Sequence, residues 1–325
     1  MINREYRNLL NLSEKEIYDD ILKSFLSFER VISISKIIGT SSIEKIFNYI
    51  LLDNPEIYYI DNYLITQNGL GQIKIKPEYK VSLYEKMKYD FKLDEIVNSI
   101  ISKIKGNNDW EKIVSLHYIL CRNITYDLDN NNAHNIIGAL IDKHAVCDGI
   151  SKAFKFICDK LNIPSVVATG SANSQTLTIN NTNHAWNKVC VFGNWCNLDV
   201  TFDLTISFNK YIRHDYFLVS DKSLHMTHNQ ILSPLKLNCL TDDYCYYEVY
   251  KMLASSPSEL VSYIKANVSK DKRIFEVKMK NVMRIDLLEE KIEKALKEAF
   301  LSEDVFKYKY SLNKEMSTLY IEFIV

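Results

Sequence analysis

The stretch AVCDGISKAFKFICDKL at residues 145–161, followed by NHAWNKVCVFGNWCNLDVTFD at residues 183–203, sets a thiol, an imidazole and a carboxylate in order along the chain. Ile150, Ala153, Phe154, Ile157, Cys158 and Leu161 recur at the i, i+3, i+4, i+7 spacing of a helix with one buried face. Asp148 and Gly149 precede that stripe and Asn162-Ile163-Pro164 closes it, which predicts Cys147 in the first turn. Unpaired backbone N–H groups there favour negative charge and, with an imidazole nearby, lower a cysteine pKa toward the nucleophilic thiolate. His184 stands where a strand is expected to begin, and Asp199 on the strand that follows. Cys158 falls on the buried stripe and reads as a small core residue.

The combination resembles the transglutaminase-like superfamily of papain-like thiol enzymes. AVCDG is similar to the family's G-V-C-x-G at the nucleophile, HAW to its histidine motif, and WCNLDVTFD to W-x-x-x-D-x-T-x-D at the acid. The spacings agree as well: 37 positions from Cys147 to His184 and 15 from His184 to Asp199. The resemblance implies an α+β fold whose papain-like core packs the nucleophile helix on an antiparallel sheet. It also implies catalytic roles for Cys147 as nucleophile, His184 as base and Asp199 as the group that orients it. Ala145 replaces the usual glycine, Phe202 a frequent tryptophan, and Asp148 stands where a glutamine or other polar residue is common. Asp148 would add a negative charge beside the thiol, which opposes thiolate formation. A two-residue turn at Gly193-Asn194 sets His184 opposite Asp203 and Asp199 opposite Lys188, about 13 Å along the strand. The resemblance favours Asp199 as the partner of His184, with Asp203 as the alternative.

Composition narrows the function class. At 325 residues, 47% hydrophobic and 25% charged, the chain has the make-up of an ordinary globular protein with a substantial core. A net charge of -1 leaves no electrostatic footprint for nucleic acid or an acidic membrane surface. No window approaches the ~18 apolar residues that span a bilayer, and residues 1–30 lack the layout of a secretory signal. Seven cysteines without a regular framework fit a reducing compartment, so a cytoplasmic location is expected.

Ahead of the motifs, a helix capped by Ser13 and Glu16, a helix from Ser41 to Leu51, and strands at 57–65 and 72–76 are expected. Helices follow at Leu93–Ile104 and Asp109–Arg122; His117 lies on the buried stripe of the second and reads as structural. His134 and His144 read as exposed loop residues near the nucleophile, and Trp186 as packing against the site or walling an acyl pocket. Residues 165–170 form a strand, 171–183 a hairpin or rim loop over the cleft, and 214–220 the closing strand of the core. The expected organisation is an N-terminal helical and β region at 1–105, the core at 106–232, a connection at 233–272, and a small β-α-β-β domain at 273–325. In that last domain, Arg273–Met279 is a strand, Leu287–Phe300 a helix, and Phe306–Tyr310 with Thr318–Val325 a hairpin.

The function expected is thiol acyl transfer on a peptide or glutamine amide, as a cysteine peptidase, amidase or transglutaminase, with hydrolysis ahead of cross-linking. The partner is a protein or peptide substrate. The alternative is a catalytically silent scaffold of the same fold that binds a peptide or protein. No cofactor is expected. Calcium is not implied, because no compact carboxylate loop is present, and zinc is disfavoured because Cys190 and Cys196, like Cys239 and Cys245, stand too far apart for the usual close ligand pairs.

Overall fold

In the computed structural model, residues 3–36, 38–69, 71–207, 211–231, 234–267, 274–280 and 307–324 are described. The chain opens with α1 (Glu5–Asn8) and α2 (Leu12–Leu26). The cap of α2 is Asn11, in a reciprocal box with Glu14, two residues before the expected Ser13; asparagine caps as well as serine, and here it brings Glu14 to the third helical position. β1 (Ile32–Ile34), α3 (Thr40–Asp53), β2 (Ile60–Gln67) and β3 (Ile73–Tyr79) follow, the strands forming an antiparallel sheet in the order β1-β3-β2. α4 (Leu83–Lys103) starts ten residues before the expected Leu93, at a Ser82–Glu85 capping box. Its first turns expose Leu83, Tyr84, Met87 and Phe91, so the inward stripe that periodicity detects begins only at Leu93.

α5 (Asp109–Asn123), capped by Asn108, buries Trp110, Ile113, Leu116, His117, Leu120 and Cys121. β4 (Thr125–Tyr126) pairs in parallel with β5 (His144–Ala145) across a π-helical segment, Ile137–Asp142. Next come α6 (Cys147–Lys160), β6 (Ser165–Ser174), β7 (Ile179–Val191), β8 (Asn194–Leu198), α7 (Val200–Ile206), α8 (Asp221–Leu224) and β9 (His228–Ile231). The four strands form an antiparallel sheet in the order β8-β7-β6-β9. α6 packs against it with Ile150, Ala153, Phe154, Ile157 and Cys158 fully buried, and each of its large apolar side chains stabilises the fold by about 1.5–3 kcal/mol relative to exposure.

One expectation for this sheet is corrected. Residues 214–220 are not a strand: Leu218 takes a left-handed φ of 53°, Phe217 N turns back to His214 O, and only Val219 bridges to the sheet, at Asn197. The edge is closed instead by β9. Residues 171–183 are the outer part of the β6–β7 hairpin, whose strands stay paired to Ser174 and Ile179.

α9 (Tyr246–Val249), β10 (Leu253–Ala254), α10 (Pro257–Asn267), β11 (Ile274–Met279), β12 (Lys307–Asn313) and β13 (Thr318–Ile324) complete the described chain. The last strands form a sheet in the order β10-β11-β13-β12, with β10 parallel to β11. The helix expected at Leu287–Phe300 lies outside the described residues. One continuous core runs from Leu10 through α2, α3, α5 and α6 to Leu218. A second gathers Leu260, Ile264, Phe275, Val277 and Ile321. A third, with Trp186, Phe202, Tyr216, Tyr247 and Met316, lies between the β6–β7 hairpin and the C-terminal sheet.

Candidate active site

Cys147 is the first residue of α6, and its N-cap, Val146, supplies no side-chain hydrogen bond, so the helix end is open. The turn is placed by the preceding loop: Val146 N donates to Ala133 O at 3.1 Å, and a Cβ on Gly149 would stand 2.2 Å from that same oxygen. The one glycine of AVCDG is therefore a packing requirement. Cys147 is partly accessible, whereas Cys121, Cys158, Cys196, Cys239 and Cys245 are buried. The charge of Asp148 is met by Lys152 Nζ at 2.8 Å, which offsets the repulsion its position beside the thiol would otherwise exert. The β4–β5 pairing aligns Tyr126 with Ala145, and the phenol lies within electrostatic reach of Cys147 and Asp199.

His184 lies inside β7 rather than at its start, paired with Gly170 of β6. Its Nε2 meets Asp199 Oδ2 at 2.6 Å, and the Cys147 thiol lies within interaction range of the ring. Burial pulls the imidazole pKa down, but the Asp199 charge and hydrogen bond, reinforced by Cys147, raise it to about 10. Phe202 packs on the ring at 4.7 Å, and the fully buried Trp186 lies nearly parallel behind it, its Nε1 donating to Asn197 Oδ1. Trp186 thus supports the site from inside the core.

Asp199 is not on a strand. β8 ends at Leu198, and Asp199 is the N-cap of α7, with Oδ1 accepting from Phe202 N at 3.0 Å. The tight turn falls at Phe192-Gly193, one residue earlier than expected, with positive φ values of 49° and 80°, as a two-residue hairpin turn requires. Asn187 therefore pairs with Leu198, and the chain leaves the sheet just where its carboxylate can reach His184. Asp203, the alternative partner, goes elsewhere: its Oδ2 meets His117 Nε2 at 2.9 Å and its Oδ1 accepts from Tyr216 N.

The sequence motifs contain no hint of His228. Its Nε2 approaches the same Asp199 Oδ2 at 3.1 Å, and its Nδ1 meets Thr227 Oγ1 at 3.0 Å. Although Asp199 is fully buried, which opposes ionisation, His184 and the His228 hydrogen bond hold its carboxyl well below the usual range. His184, Asp199 and His228 have potential ligand atoms within 4.8 Å of one another. Both imidazole nitrogens address one carboxylate oxygen at hydrogen-bond length, however, and a cation among them would displace the N–H donors that Asp199 uses. The donor set fits a hydrogen-bonded chain better than a metal centre.

His134 and His144 stand apart, as exposed residues whose Nδ1 atoms lie 3.8 Å from Asp148 and 3.0 Å from Asp127. Cys190 and Cys196 sit on adjacent hairpin strands, with Cys190 opposite Trp195 and Cys196 opposite Val189. All seven cysteines are free thiols. Among the described residues no helix is long and apolar enough to cross a membrane.

Comparison with known proteins places this geometry. Residues 95–200, which contain Cys147, His184 and Asp199, match the model of the transglutaminase-like superfamily core. Among solved structures, similarity is found to a protein from Cytophaga hutchinsonii provisionally named a cysteine protease, at 15% identity over 44% of this chain and 62% of that one, with a TM-score of 0.30. A structure named a TGase is similar at 13% identity over 60% of this chain and 54% of that one, with a TM-score of 0.32. The chain spans less than two thirds of the length of either. No curated protein matches. The family match falls on the part of this α+β chain in which an amphipathic helix begins at Cys147 beside an antiparallel sheet, so residues 95–200 are similar to a transglutaminase-like core.

Proposed function

We propose that this protein is a thiol enzyme acting by acyl transfer on peptide or glutamine amides, with Cys147 as nucleophile, His184 as base and Asp199 as its orienter. The observation that carries this is the ion pair between His184 Nε2 and Asp199 Oδ2 at 2.6 Å, on a ring within interaction range of a thiol at an open helix end. His184 takes the Cys147 proton; the thiolate attacks the amide carbon and forms a C–S bond while the carbonyl electrons move to oxygen. Collapse of that oxyanion breaks the C–N bond, and His184 returns the proton to the departing amine. The free N–H groups at the start of α6 and the hydroxyl of Tyr126, which senses the Cys147 charge, would serve as donors to the oxyanion. Water, deprotonated by His184, then releases the acid, or an amine takes the acyl group. The two fates share the same first half, and hydrolysis is the one favoured here. Free thiols throughout are in keeping with a reducing, cytoplasmic setting.

The test is the pH dependence of iodoacetamide labelling at Cys147, located by peptide mass mapping, in the wild type and in His184→Ala. Selective labelling below about pH 6.5, where an ordinary thiol is protonated, is expected in the wild type and lost in the variant. If Cys147 labels no faster than Cys190, the other partly exposed thiol, the enzyme reading falls.

A further inference from the structure

We infer that His228 is a positioning residue of the thiol site, donating its Nε2–H to Asp199 so that the carboxylate meets His184 in one fixed orientation. This rests on the roles of Cys147, His184 and Asp199 proposed above.

Hydrogen-bond directions make the case. The Thr227 hydroxyl has one proton and three acceptors in view, Leu224 O at 3.4 Å, His228 Nδ1 at 3.0 Å and the Tyr216 phenol oxygen, which carries a proton of its own to donate. Donation along the shorter contact leaves Nδ1 of His228 as acceptor and Nε2 as the protonated nitrogen. Nε2–H is then aimed at Asp199 Oδ2, 3.1 Å away. Thr227, His228, Asp199 and His184 form one chain of donors and acceptors ending at the thiol's imidazole. The His228 ring is fixed by Trp186 at 4.8 Å, Phe202 at 5.0 Å and Tyr216 at 6.2 Å, and its backbone by the β9–β6 pairing with Ala172. With Phe202 N on Oδ1, Asp199 is held at both oxygens before His184 is counted.

Asp203 is an internal comparison. It is equally buried and paired with one imidazole, that of His117, but among the described residues no second imidazole is hydrogen-bonded to it. Burial, with the nearby charge of Asp215, pushes its carboxyl upward, the opposite direction to Asp199. The other titratable groups that sense Asp199 are His117, Cys121 and Asp203 behind it, and Tyr126 toward the cleft.

The experiment measures the iodoacetamide labelling rate of Cys147 from pH 4.5 to 8.5 in the wild type, His228→Leu and His228→Gln, with circular dichroism to establish folding. His228→Leu removes the donor and is expected to move the acid limb up by about one pH unit, slowing labelling at pH 6 about tenfold. His228→Gln places an amide N–H near the Nε2 position and is expected to restore most of the rate. If His228→Leu does not fold, Thr227→Val, which removes the hydroxyl that sets the tautomer, is expected to shift the limb in the same direction by less. A wild-type profile in the folded leucine variant, or in the valine variant where that one replaces it, overturns the inference while leaving the triad intact, as does a glutamine variant no better than leucine. Absence of any acid limb in the wild type overturns the triad reading and this one with it. Loss of the wild-type limb on treatment with EDTA and its return with Zn²⁺ would replace the hydrogen-bonded chain with a metal site. Nitrogen-15 NMR of the imidazoles gives a readout independent of reactivity: His228 is expected to carry its proton on Nε2 throughout, and the reverse tautomer would overturn the assignment.

Discussion

Two buried histidine–aspartate pairs stand beside each other here with opposite charge states. His184 and Asp199 shift in the directions of an ion pair, because the carboxylate has three N–H donors and the ring a thiol. His117, pushed down to about 3 by burial, and Asp203, pushed up, prefer to be neutral. For His184, whose folded value of about 10 exceeds its ordinary 6.5, the stabilisation is complete below pH 6.5 and declines as pH rises toward 10. The melting temperature of the wild type is thus expected to fall toward that of His184→Gln between pH 7 and 10; a constant difference across that range would refute the pair. Gly149→Ala sets a methyl against Ala133 O and is expected to destabilise by about 1–3 kcal/mol and slow Cys147 labelling, read by thermal denaturation and mass mapping. Cys147 and His184 were legible as residues because each sits in a local motif. His228, 29 residues beyond Asp199, is brought in by strand pairing alone, which no local pattern encodes.

At the scale of elements, the nucleophile helix was the most legible, since its stripe repeats over three turns and Ile150, Ala153, Phe154, Ile157 and Cys158 are buried as expected, with Leu161 half-buried at the C-cap. The β7–β8 turn was not. Gly193-Asn194 is the natural reading of the sequence, because an aromatic residue seldom takes the positive φ that Phe192 adopts. That one-residue difference turns Asp199 from a strand residue into a helix cap. Cap and charge are separable: Asp199→Asn keeps an effective cap but breaks the pair with His184, so its melting temperature is expected to fall to about that of His184→Gln while the acid limb of Cys147 labelling disappears. Asp199→Ala is expected to lose the cap as well, at a further cost of about 1 kcal/mol. Equal melting temperatures for the two variants would argue against Asp199 as the cap of α7.

Across the whole molecule, the C-terminal sheet is tied to the core by buried polar contacts rather than by a linker alone. Arg213 lies between Asp215 and Glu276 of β11, at 2.9 Å from each, while Asn313 Nδ2 and Thr318 Oγ1 donate to Asp215. Burial raises the Glu276 carboxyl to about 8, so the folded state holds a proton there that the unfolded chain releases above about 4.5. Stability is expected to decline from this group as pH rises from about 4.5 to 8, and Glu276→Gln to flatten that slope in denaturant titrations. Such ties join residues far apart in sequence, which is why the β12–β13 hairpin could be read locally but the docking of the sheet could not.

Glu315, in the turn between β12 and β13, clasps the tip of the β6–β7 hairpin, accepting from Ser174 Oγ at 3.0 Å, Gln175 N at 2.7 Å and Thr176 N at 3.1 Å. The hairpin that carries His184 is thus fastened by a residue 139 positions after Thr176. On a ribosome adding roughly 5–20 residues per second, the hairpin waits on the order of 7–28 seconds for its clasp. The imidazole is therefore translated well before its strand is braced, and the thiol site reaches its final form only after Glu315 has been made.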